Sequence, residues 1–292
     1  MTDSLSIIMV KYTIDYLTGL RRRIVMSFFN GTFYSTSLCR PVHFTAVLSN
    51  DCQWGVEDNP HFKRPAKNVY LLHGYSGCDT DWFTNVPLGD LANRFNVNFF
   101  LPNGDNSFWL NQPETGYKYQ DFVGKEFVDY TRKTFNLSDK REDTIIGGLS
   151  MGGFGTLHTA LAYPETFSKA LALSSALIVK GMKHIAGNDE NVMANVEYYR
   201  HTFGDFDKLE ESDNNPEVLA KRIVNSADKP EIYMACGTED FLIMPNKEFK
   251  AFLDSIGYPA TFFTGPGVHD FVFWRAQLVR GLEWALEGQH RD

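Results

Sequence analysis

The pentapeptide Gly148-Leu149-Ser150-Met151-Gly152 constrains what this chain can fold into more than any other segment. It follows a short run rich in β-branched residues, 144–146, and precedes a stretch that is compatible with a helix, 154–162. A strand that passes straight into a helix has to turn so tightly that flanking side chains would collide with neighbouring backbone. Glycine on both sides therefore predicts a sharp turn in which Ser150 is held in a strained backbone conformation.

The rest of the chain alternates short apolar runs with amphipathic segments. This alternation is typical of βαβ units around a mainly parallel sheet, and right-handed crossovers place the helices on both faces of such a sheet. A G-x-S-x-G turn between a strand and a helix is the nucleophile elbow of the α/β-hydrolase fold, which is therefore the predicted fold class. The predicted strands are 44–48, 69–73, 97–101, 144–147, 170–174, 232–236 and 260–264, and the predicted helices are 82–95, 120–135, 154–163, 217–224, 245–256 and 270–287.

Length and composition limit the domain organisation and the partners. A chain of 292 residues can bury one large core, and we expect a single domain over residues 26–292. Residues 1–25 place a basic cluster after a short apolar stretch, the reverse of a signal peptide, and are interpreted as an extension that need not belong to the native fold. The formal net charge of −8 argues against nucleic acid or an anionic membrane as a partner. The four scattered cysteines form no C-x-x-C pair, so we expect reduced thiols, a cytoplasmic location and neither metal nor cofactor.

One segment, residues 177–230, departs from the alternation. It is rich in Asn, Asp, Glu and Lys and carries aromatic residues at Tyr198, Tyr199, Phe203 and Phe206. A connection of this length is typical of a functional element, and it leaves the sheet at the edge where catalytic loops lie in open α/β folds. We interpret it as a lid or cap insertion, with a plain surface excursion as the alternative. Its aromatic residues could meet a substrate or a second copy of the chain, so a homo-oligomer stays open.

Serine is a weak nucleophile at neutral pH and needs a neighbouring base, which in turn needs an orienting acid. In α/β-hydrolases the order along the chain is serine, acid, histidine. His269 lies in a glycine-rich loop after a predicted strand and is the predicted base, whereas His158 sits in the helix after the elbow and cannot fold back to Ser150. Asp240 follows the preceding strand and is the predicted acid; Glu239 is the alternative, and otherwise a solvated neighbour.

An acyl-transfer site also needs backbone N–H groups aimed at the oxyanion that forms. Met151 directly follows the nucleophile at a helix N-terminus, and Tyr75 lies in the loop after an earlier strand; these are the two predicted donors. His73, at the end of that strand, is interpreted as structural and not as a second base. Trp82 and Trp109 could wall an acyl or aryl pocket, although core or rim packing explains each of them at least as well.

Five segments, 71–77, 121–127, 147–155, 237–242 and 267–274, resemble the esterase D / S-formylglutathione hydrolase-like group, and most of all its bacterial tributyrin esterase branch. The likeness runs from about residue 26 to the C-terminus. It implies an α/β-hydrolase that cleaves short-chain acyl esters. It also implies that Ser150, Asp240 and His269 form the catalytic triad, with Tyr75 and Met151 as oxyanion donors.

We therefore expect a serine carboxylesterase that hydrolyses small-molecule esters of short acyl chains. Two related activities stay open: a thioesterase of the S-formylglutathione hydrolase type, and an acetyl or feruloyl esterase acting on plant-derived oligosaccharides. The loop His73-Gly74-Tyr75-Ser76-Gly77 departs from the S-G-L-T-C that formylglutathione hydrolases usually carry there, which favours a general esterase. A non-catalytic binding protein of the same fold is a remote alternative, since the chain retains every triad residue and both oxyanion loops.

Overall fold

The structure, a computed structural model, describes residues 27–50, 56–112, 114–185 and 193–287. Within these ranges the strands are β1 (Ser27–Ser35), β2 (Arg40–Leu48), β3 (Lys67–Leu72), β4 (Val97–Pro102), β5 (Asn111–Gln112), β6 (Tyr117–Lys118), β7 (Thr144–Leu149), β8 (Lys169–Leu173), β9 (Glu231–Gly237) and β10 (Ala260–Gly265). The α-helices are α1 (Asp81–Asn85), α2 (Leu88–Phe95), α3 (Tyr119–Asp121), α4 (Phe127–Phe135), α5 (Met151–Ala162), α6 (Met182–Ile185), α7 (Val196–Phe203), α8 (Phe206–Leu209), α9 (Pro216–Ile223), α10 (Ile243–Ser255) and α11 (Phe271–Glu287). A π-helical turn, Phe122–Glu126, joins α3 to α4, and single 3₁₀ turns occupy Pro60–Lys63, Arg141–Asp143 and Val179–Gly181.

Eight of the strands form one sheet in the order β1-β2-β4-β3-β7-β8-β9-β10. Strand β2 runs antiparallel to both β1 and β4, and every other neighbouring pair in this sheet is parallel. The carboxyl ends of β3, β7, β9 and β10 therefore meet at one edge, where the loops with the predicted site residues begin. This mainly parallel sheet confirms the α/β-hydrolase fold that the sequence predicts.

The central strands are buried on both faces. In β3, Val69 and Leu71 face one layer of the core and Tyr70 and Leu72 face the other. Helices α4, α5 and α10 pack on the face that carries Tyr70 and Leu72, and α2 and α11 pack on the face that carries Val69 and Leu71. Burial on both faces explains why these strands read as continuous apolar runs in the sequence.

The structure differs from the predicted elements in several places: the short strands β5 and β6 were not predicted, and the predicted helix 120–135 is α3, the π-helical turn and α4. Two further differences have a local explanation. Strand β1 was not among the predicted strands; it lies at the sheet edge and mixes exposed polar residues with buried apolar ones, which weakens the apolar signal. The predicted helix 82–95 is two helices, α1 and α2, with Val86 in an extended conformation between them. Pro87 explains the break, because the residue before a proline is pushed out of the helical region.

The segment 177–230 contains helices α6 to α9 in its described part. Buried apolar side chains on these helices, among them Phe203, Leu209 and Leu219, attach the segment to the core. Helix α7 also reaches the predicted site, where the ring of Tyr198 lies 5.6 Å from that of Tyr75. In its described part the segment is therefore mainly helical and adjacent to the oxyanion loop, and its function as a cap stays a prediction.

The predicted extension, residues 1–25, lies outside the described residues. In the part of the chain that the structure covers, none of the helices combines the length and the apolar character that crossing a membrane would require.

Candidate active site

Ser150 occupies a sharp turn between β7 and α5, with φ 55° and ψ −119°. A Cβ atom on Gly148 would overlap the carbonyl of Gly152, and one on Gly152 would overlap the carbonyl of Leu72. Both obstacles are backbone, so no side chain fits at either glycine. The Ser150 N–H donates to the Leu173 carbonyl at 2.9 Å, which ties the turn to the neighbouring strand. Strain of this kind persists where the surroundings fix it, most often at functional sites.

Three side chains from three separate loops form a continuous hydrogen-bonded relay. The Ser150 hydroxyl donates to His269 Nε2, with Oγ and Nε2 3.0 Å apart. On the other side of the ring, His269 Nδ1–H donates to Asp240 Oδ2 at 2.8 Å. The Asp240 bond places the ring proton on Nδ1 and leaves Nε2 free to accept a proton from serine. The structure thus brings together the predicted nucleophile, base and acid.

Asp240 is buried, and its environment keeps it ionised. Burial alone would raise the pKa of the carboxyl, but hydrogen bonds from His269, from the Leu242 N–H and from the Ser174 hydroxyl outweigh that cost and lower the pKa below its usual range. Ser174 is itself held by Trp274, whose Nε1–H donates to Ser174 Oγ at 3.0 Å. A permanent negative charge therefore lies beside the imidazole and stabilises its protonated form.

Glu239, the alternative acid, does not reach His269. Its Oε2 accepts a hydrogen bond from the Gly267 N–H at 2.7 Å, and its own N–H donates to the Gly267 carbonyl at 3.1 Å. Glu239 therefore joins the loop after β9 to the loop that carries His269. Glu239 is exposed, as the sequence predicted for a solvated neighbour of the acid. Its contact with Gly267 was not predicted, because a carboxylate beside a predicted acid gives no sign of which backbone N–H it will meet.

The two predicted oxyanion donors lie next to the nucleophile. Met151 is the first residue of α5, and the Tyr75 loop passes so close that a Cβ on Gly74 would lie 3.5 Å from the Ser150 Cβ. Among the described residues, neither the Tyr75 N–H nor the Met151 N–H donates to another group of the chain. Both donors are thus available to a substrate oxygen at the serine.

A second loop, residues 103–110, fixes the oxyanion loop. His73 is buried; its Nδ1–H donates to the Gly74 carbonyl at 2.8 Å, and its Nε2 accepts from the Gly104 N–H at 2.9 Å. Burial lowers the pKa of His73 and keeps the ring neutral, as the second of these bonds requires. His73 therefore has the contacts of a structural histidine.

Asn106 makes a further link that the sequence did not indicate. Its Oδ1 accepts from the Ser76 N–H at 2.7 Å, and its carbonyl accepts from the Tyr198 hydroxyl at 2.7 Å. The residue next to Tyr75 is thereby connected through Asn106 to helix α7. No local pattern could have indicated this contact, since its partners lie far apart in sequence.

The structure corrects the suggestion that Trp82 and Trp109 wall a substrate pocket. The two side chains are only 1% and 0% exposed. Trp82 donates its Nε1–H to the Leu72 carbonyl inside the core, at 3.0 Å. The Trp109 ring fills the space left by the missing side chains of Gly104 and Gly155. Core packing, the alternative that the sequence left open, is what the structure shows for both.

Two aromatic rings flank His269. Trp274, which is buried, meets the imidazole edge to face with ring centres 4.8 Å apart. Phe241 lies 4.6 Å away with its ring tilted by 46°, and this side chain is 65% exposed. Phe241 was not identified from the sequence, although it directly follows the predicted acid.

The arrangement contains what acyl transfer requires: a nucleophile, a base, an orienting acid and free backbone donors. Over the residues that the structure describes, no group of three or more His, Cys, Asp or Glu side chains is arranged to hold a metal ion.

Comparisons with known proteins agree with this chemistry. A family model described as "Putative esterase" matches residues 53–285. The chain is 37% identical over 258 residues to an acetyl esterase of Caldicellulosiruptor saccharolyticus, which covers 86% of this chain and 95% of that protein.

Two solved structures from Staphylococcus aureus are similar over nearly their whole length. The fluorophosphonate-binding serine hydrolase FphF has a TM-score of 0.77 and 28% identity, covering 89% of this chain and 98% of that one. The S-formylglutathione hydrolase FrmB has a TM-score of 0.75 and 27% identity, covering 89% and 99%.

Proposed function

The chain belongs to the putative esterase family, and from that premise we propose that it hydrolyses short-chain acyl esters through Ser150, His269 and Asp240. Its membership of the family and its serine hydrolase neighbours make it a carboxylic ester hydrolase of the serine type. The observation that carries the proposed triad is the relay from Ser150 Oγ through the imidazole to the Asp240 carboxylate. The short acyl preference is supported by the 37% identity to an acetyl esterase.

Acylation begins when His269 Nε2 takes the proton of the Ser150 hydroxyl and Oγ attacks the ester carbonyl carbon. The negative charge that forms on the carbonyl oxygen is held by the N–H groups of Tyr75 and Met151, the latter at the positive end of helix α5. Asp240 stabilises the positive charge on the ring during this step.

The tetrahedral intermediate then collapses, and the bond between the carbonyl carbon and the alcohol oxygen breaks. The leaving alcohol takes its proton from His269 Nε2, and the acyl group stays on Ser150. Water enters, gives its proton to the same nitrogen and attacks the acyl carbon, and a second collapse releases the acid and restores the serine hydroxyl.

The proposal is tested with a kcat/KM series on p-nitrophenyl acetate, butyrate, octanoate and ferulate. We expect the highest values for acetate and butyrate. Ser150→Ala should lower kcat by several orders of magnitude, roughly 10⁴- to 10⁶-fold, with the fold intact. Ser255→Ala, at the far end of α10, is the matched control and should leave the rates unchanged. Near-full activity of Ser150→Ala would show that the triad is assigned wrongly.

A thioesterase activity is the second candidate, because a neighbour at 27% identity is an S-formylglutathione hydrolase. S-formylglutathione belongs in the same series for this reason. A kcat/KM for the thioester well above that for p-nitrophenyl acetate would favour this candidate over the general esterase. The neighbouring ferulic acid esterase is 22% identical and supports the fold alone, so ferulate serves as a test of acyl size.

The proposal includes a small-molecule substrate and a cytoplasmic setting, with no nucleic acid or membrane partner. The net charge of −8 and the scattered cysteines support it. Sedimentation of the purified protein with and without anionic vesicles checks the membrane part, and binding to vesicles would contradict it.

A further inference from the structure

Exposed apolar side chains concentrate in and directly after the two loops that carry the predicted acid and base. The described residues include seven large hydrophobic side chains that are exposed. Four of these lie in the loops after β9 and β10 or in the first turn of the helix that follows: Phe241, Met244, Val268 and Val272. We call these four residues the apolar rim. An apolar group left in solvent beside a reactive site is a common mark of a binding surface.

Phe241 is the member of the apolar rim with a direct contact to the site. Its ring centre lies 4.6 Å from that of His269, and most of its surface is open to solvent. The buried Trp274 takes another side of the imidazole, and Asp240 takes Nδ1. The solvent-facing neighbour of His269 is therefore an unshielded phenyl ring.

The chemistry of ester hydrolysis brings the alcohol part of the substrate to the position beside His269 and Phe241. When the ester bond breaks, His269 Nε2 has to deliver its proton to the leaving oxygen, so the alcohol lies within hydrogen-bond reach of the imidazole at that moment. A carbon skeleton attached to this oxygen extends past the ring that borders His269. Contact with Phe241 would remove apolar surface of both groups from water.

We propose that the apolar rim is the binding site for the alcohol part of the ester, with Phe241 as its main contact, and that it selects uncharged alcohols with an aromatic or aliphatic face. This proposal rests on the proposed function and adds the substrate class to it. The same loops carry three carboxylates, Glu239, Asp240 and Asp270. Their negative charge disfavours anionic leaving groups such as glutathione and complements the preference for a neutral alcohol.

The test varies the alcohol while the acyl group stays an acetyl. Phe241→Ala should lower kcat/KM for phenyl acetate about tenfold, as expected when an apolar contact of this size is lost. For methyl acetate, whose alcohol is too small to reach the ring, kcat/KM should be unchanged. Phe241→Leu, which keeps an apolar side chain, should recover most of the loss. Tyr34→Ala, which removes an equally exposed aromatic ring on β1, is the control and should change neither substrate.

Hydrolysis of the acyl-enzyme gives an independent readout. The alcohol has left by that stage, so the rate at which acetyl-Ser150 is hydrolysed, measured after rapid acylation, should be equal in the wild type and in Phe241→Ala. A slower deacylation, or an equal loss for both acetates, would mean that Phe241 acts by positioning His269, and the proposal would fall. If the loss of kcat/KM in Phe241→Ala grew with the length of the acyl chain while the alcohol stayed the same, the apolar rim would bind the acyl part of the ester. That result would also overturn the proposal.

Failure of this inference can be told apart from failure of the proposed function. Wild-type turnover of methyl acetate, and its absence in Ser150→Ala, depend on the triad alone. If both results hold while Phe241→Ala leaves phenyl acetate unaffected, the esterase proposal stands and the assignment of the apolar rim is wrong.

Discussion

The two sides of Ser150 are supported by different kinds of contact. On one side the oxyanion loop, residues 73–77, is held by side chains: His73 accepts from the Gly104 N–H, and Asn106 accepts from the Ser76 N–H. On the other side, the loops after β9 and β10 are held largely by hydrogen bonds between their backbones. The Thr238 N–H donates to the Gly265 carbonyl, and the Glu239 N–H donates to the Gly267 carbonyl. We call these the oxyanion side and the acid–base side.

This difference determines how each side should respond to change. A side chain that holds a loop can be shortened or replaced, and the loop then shifts by a fraction of an ångström. Two backbones in direct contact cannot adjust in this way, because an atom placed between them pushes one entire loop away from the other. We therefore expect graded losses from substitutions on the oxyanion side and an abrupt loss on the acid–base side.

Among substitutions that test this contrast between the two sides, the largest effect should come from Gly237→Ala on the acid–base side. A Cβ on Gly237 would overlap the carbonyl of Gly267, two residues before His269. Because this obstacle is backbone and not a flexible side chain, the loop that carries His269 has to move. Because a displacement of about 1 Å near a reacting group can cost a hundredfold in rate, we expect kcat to fall at least about a hundredfold. Steady-state kinetics on p-nitrophenyl acetate measures it.

Gly181→Ala is the matched control for this experiment, since a Cβ on Gly181 meets nothing within 4 Å. It should leave both the rate and the melting temperature unchanged. Melting curves of Gly237→Ala distinguish a displaced loop from a protein that no longer folds. A folded Gly237→Ala protein with wild-type kcat would show that the acid–base side adjusts after all, and the contrast between the two sides would be lost.

A smaller effect is expected from Asn106→Ala on the oxyanion side. The substitution removes the acceptor of the Ser76 N–H and leaves the neighbouring Tyr75 N–H less well aimed. Loss of a whole oxyanion donor costs about a hundredfold or more, so misalignment of one should lower kcat about tenfold, with KM little changed. Asn106→Asp keeps an acceptor at this place and should restore most of the rate.

Tyr198→Phe tests whether helix α7 contributes to the same loop. It removes the hydroxyl that donates to the Asn106 carbonyl and keeps the ring that faces Tyr75. We expect a loss of kcat in the same direction as for Asn106→Ala but smaller, and a double variant less than additive, because both changes act through Asn106. Fully additive losses would mean that α7 acts on catalysis by another route.

The sequence predicted those parts of the site that depend on local sterics and on the sheet. Gly148 and Gly152 are required by backbone that lies within the same strand–turn–helix unit or beside it. Asp240 and His269 follow neighbouring parallel strands, so their meeting at one sheet edge could be expected from their place in the chain. The mainly parallel sheet could be predicted because short apolar runs alternate with amphipathic segments along the chain.

What the sequence did not predict depends on contacts between distant segments. The hydrogen bond from Ser76 to Asn106 spans 30 residues and the one from Tyr198 to Asn106 spans 92, and neither belongs to a repeating pattern. Burial of Trp82 and Trp109 likewise depends on which loops fold over them. Pro87 is different, because the break that it makes in the predicted helix could have been recognised from the sequence.

The smallest effect should appear in the dependence of stability on pH. Burial lowers the pKa of His73, so the unfolded chain binds this proton at a higher pH than the folded one does. The neutral His73 ring therefore makes its full contribution to the free energy of unfolding above the ordinary histidine pKa of about 6.5. This contribution decreases as the pH falls below that value. Glu239 has a lowered pKa through its bond from the Gly267 N–H, so its contribution persists down to about pH 4.5, the ordinary range of a glutamate, and is lost only below.

Denaturant unfolding at several pH values separates the two sides. Between about pH 6.5 and 5 each buried histidine changes the unfolding free energy by at most about 1.4 kcal/mol per pH unit. His73→Gln, whose amide can make both backbone bonds, should flatten this slope. Glu239→Gln should leave this slope unchanged and alter the pH dependence of stability only below about pH 4.5, where the wild-type carboxylate begins to be protonated. Burial lowers the pKa of His158 to about 4, so His158 also makes stability fall as the pH falls. Its contribution to the slope is the same in every variant and cancels when the slopes are compared. If Glu239→Gln flattened the slope and His73→Gln did not, the acid–base side would be the one whose support is lost first as the pH falls.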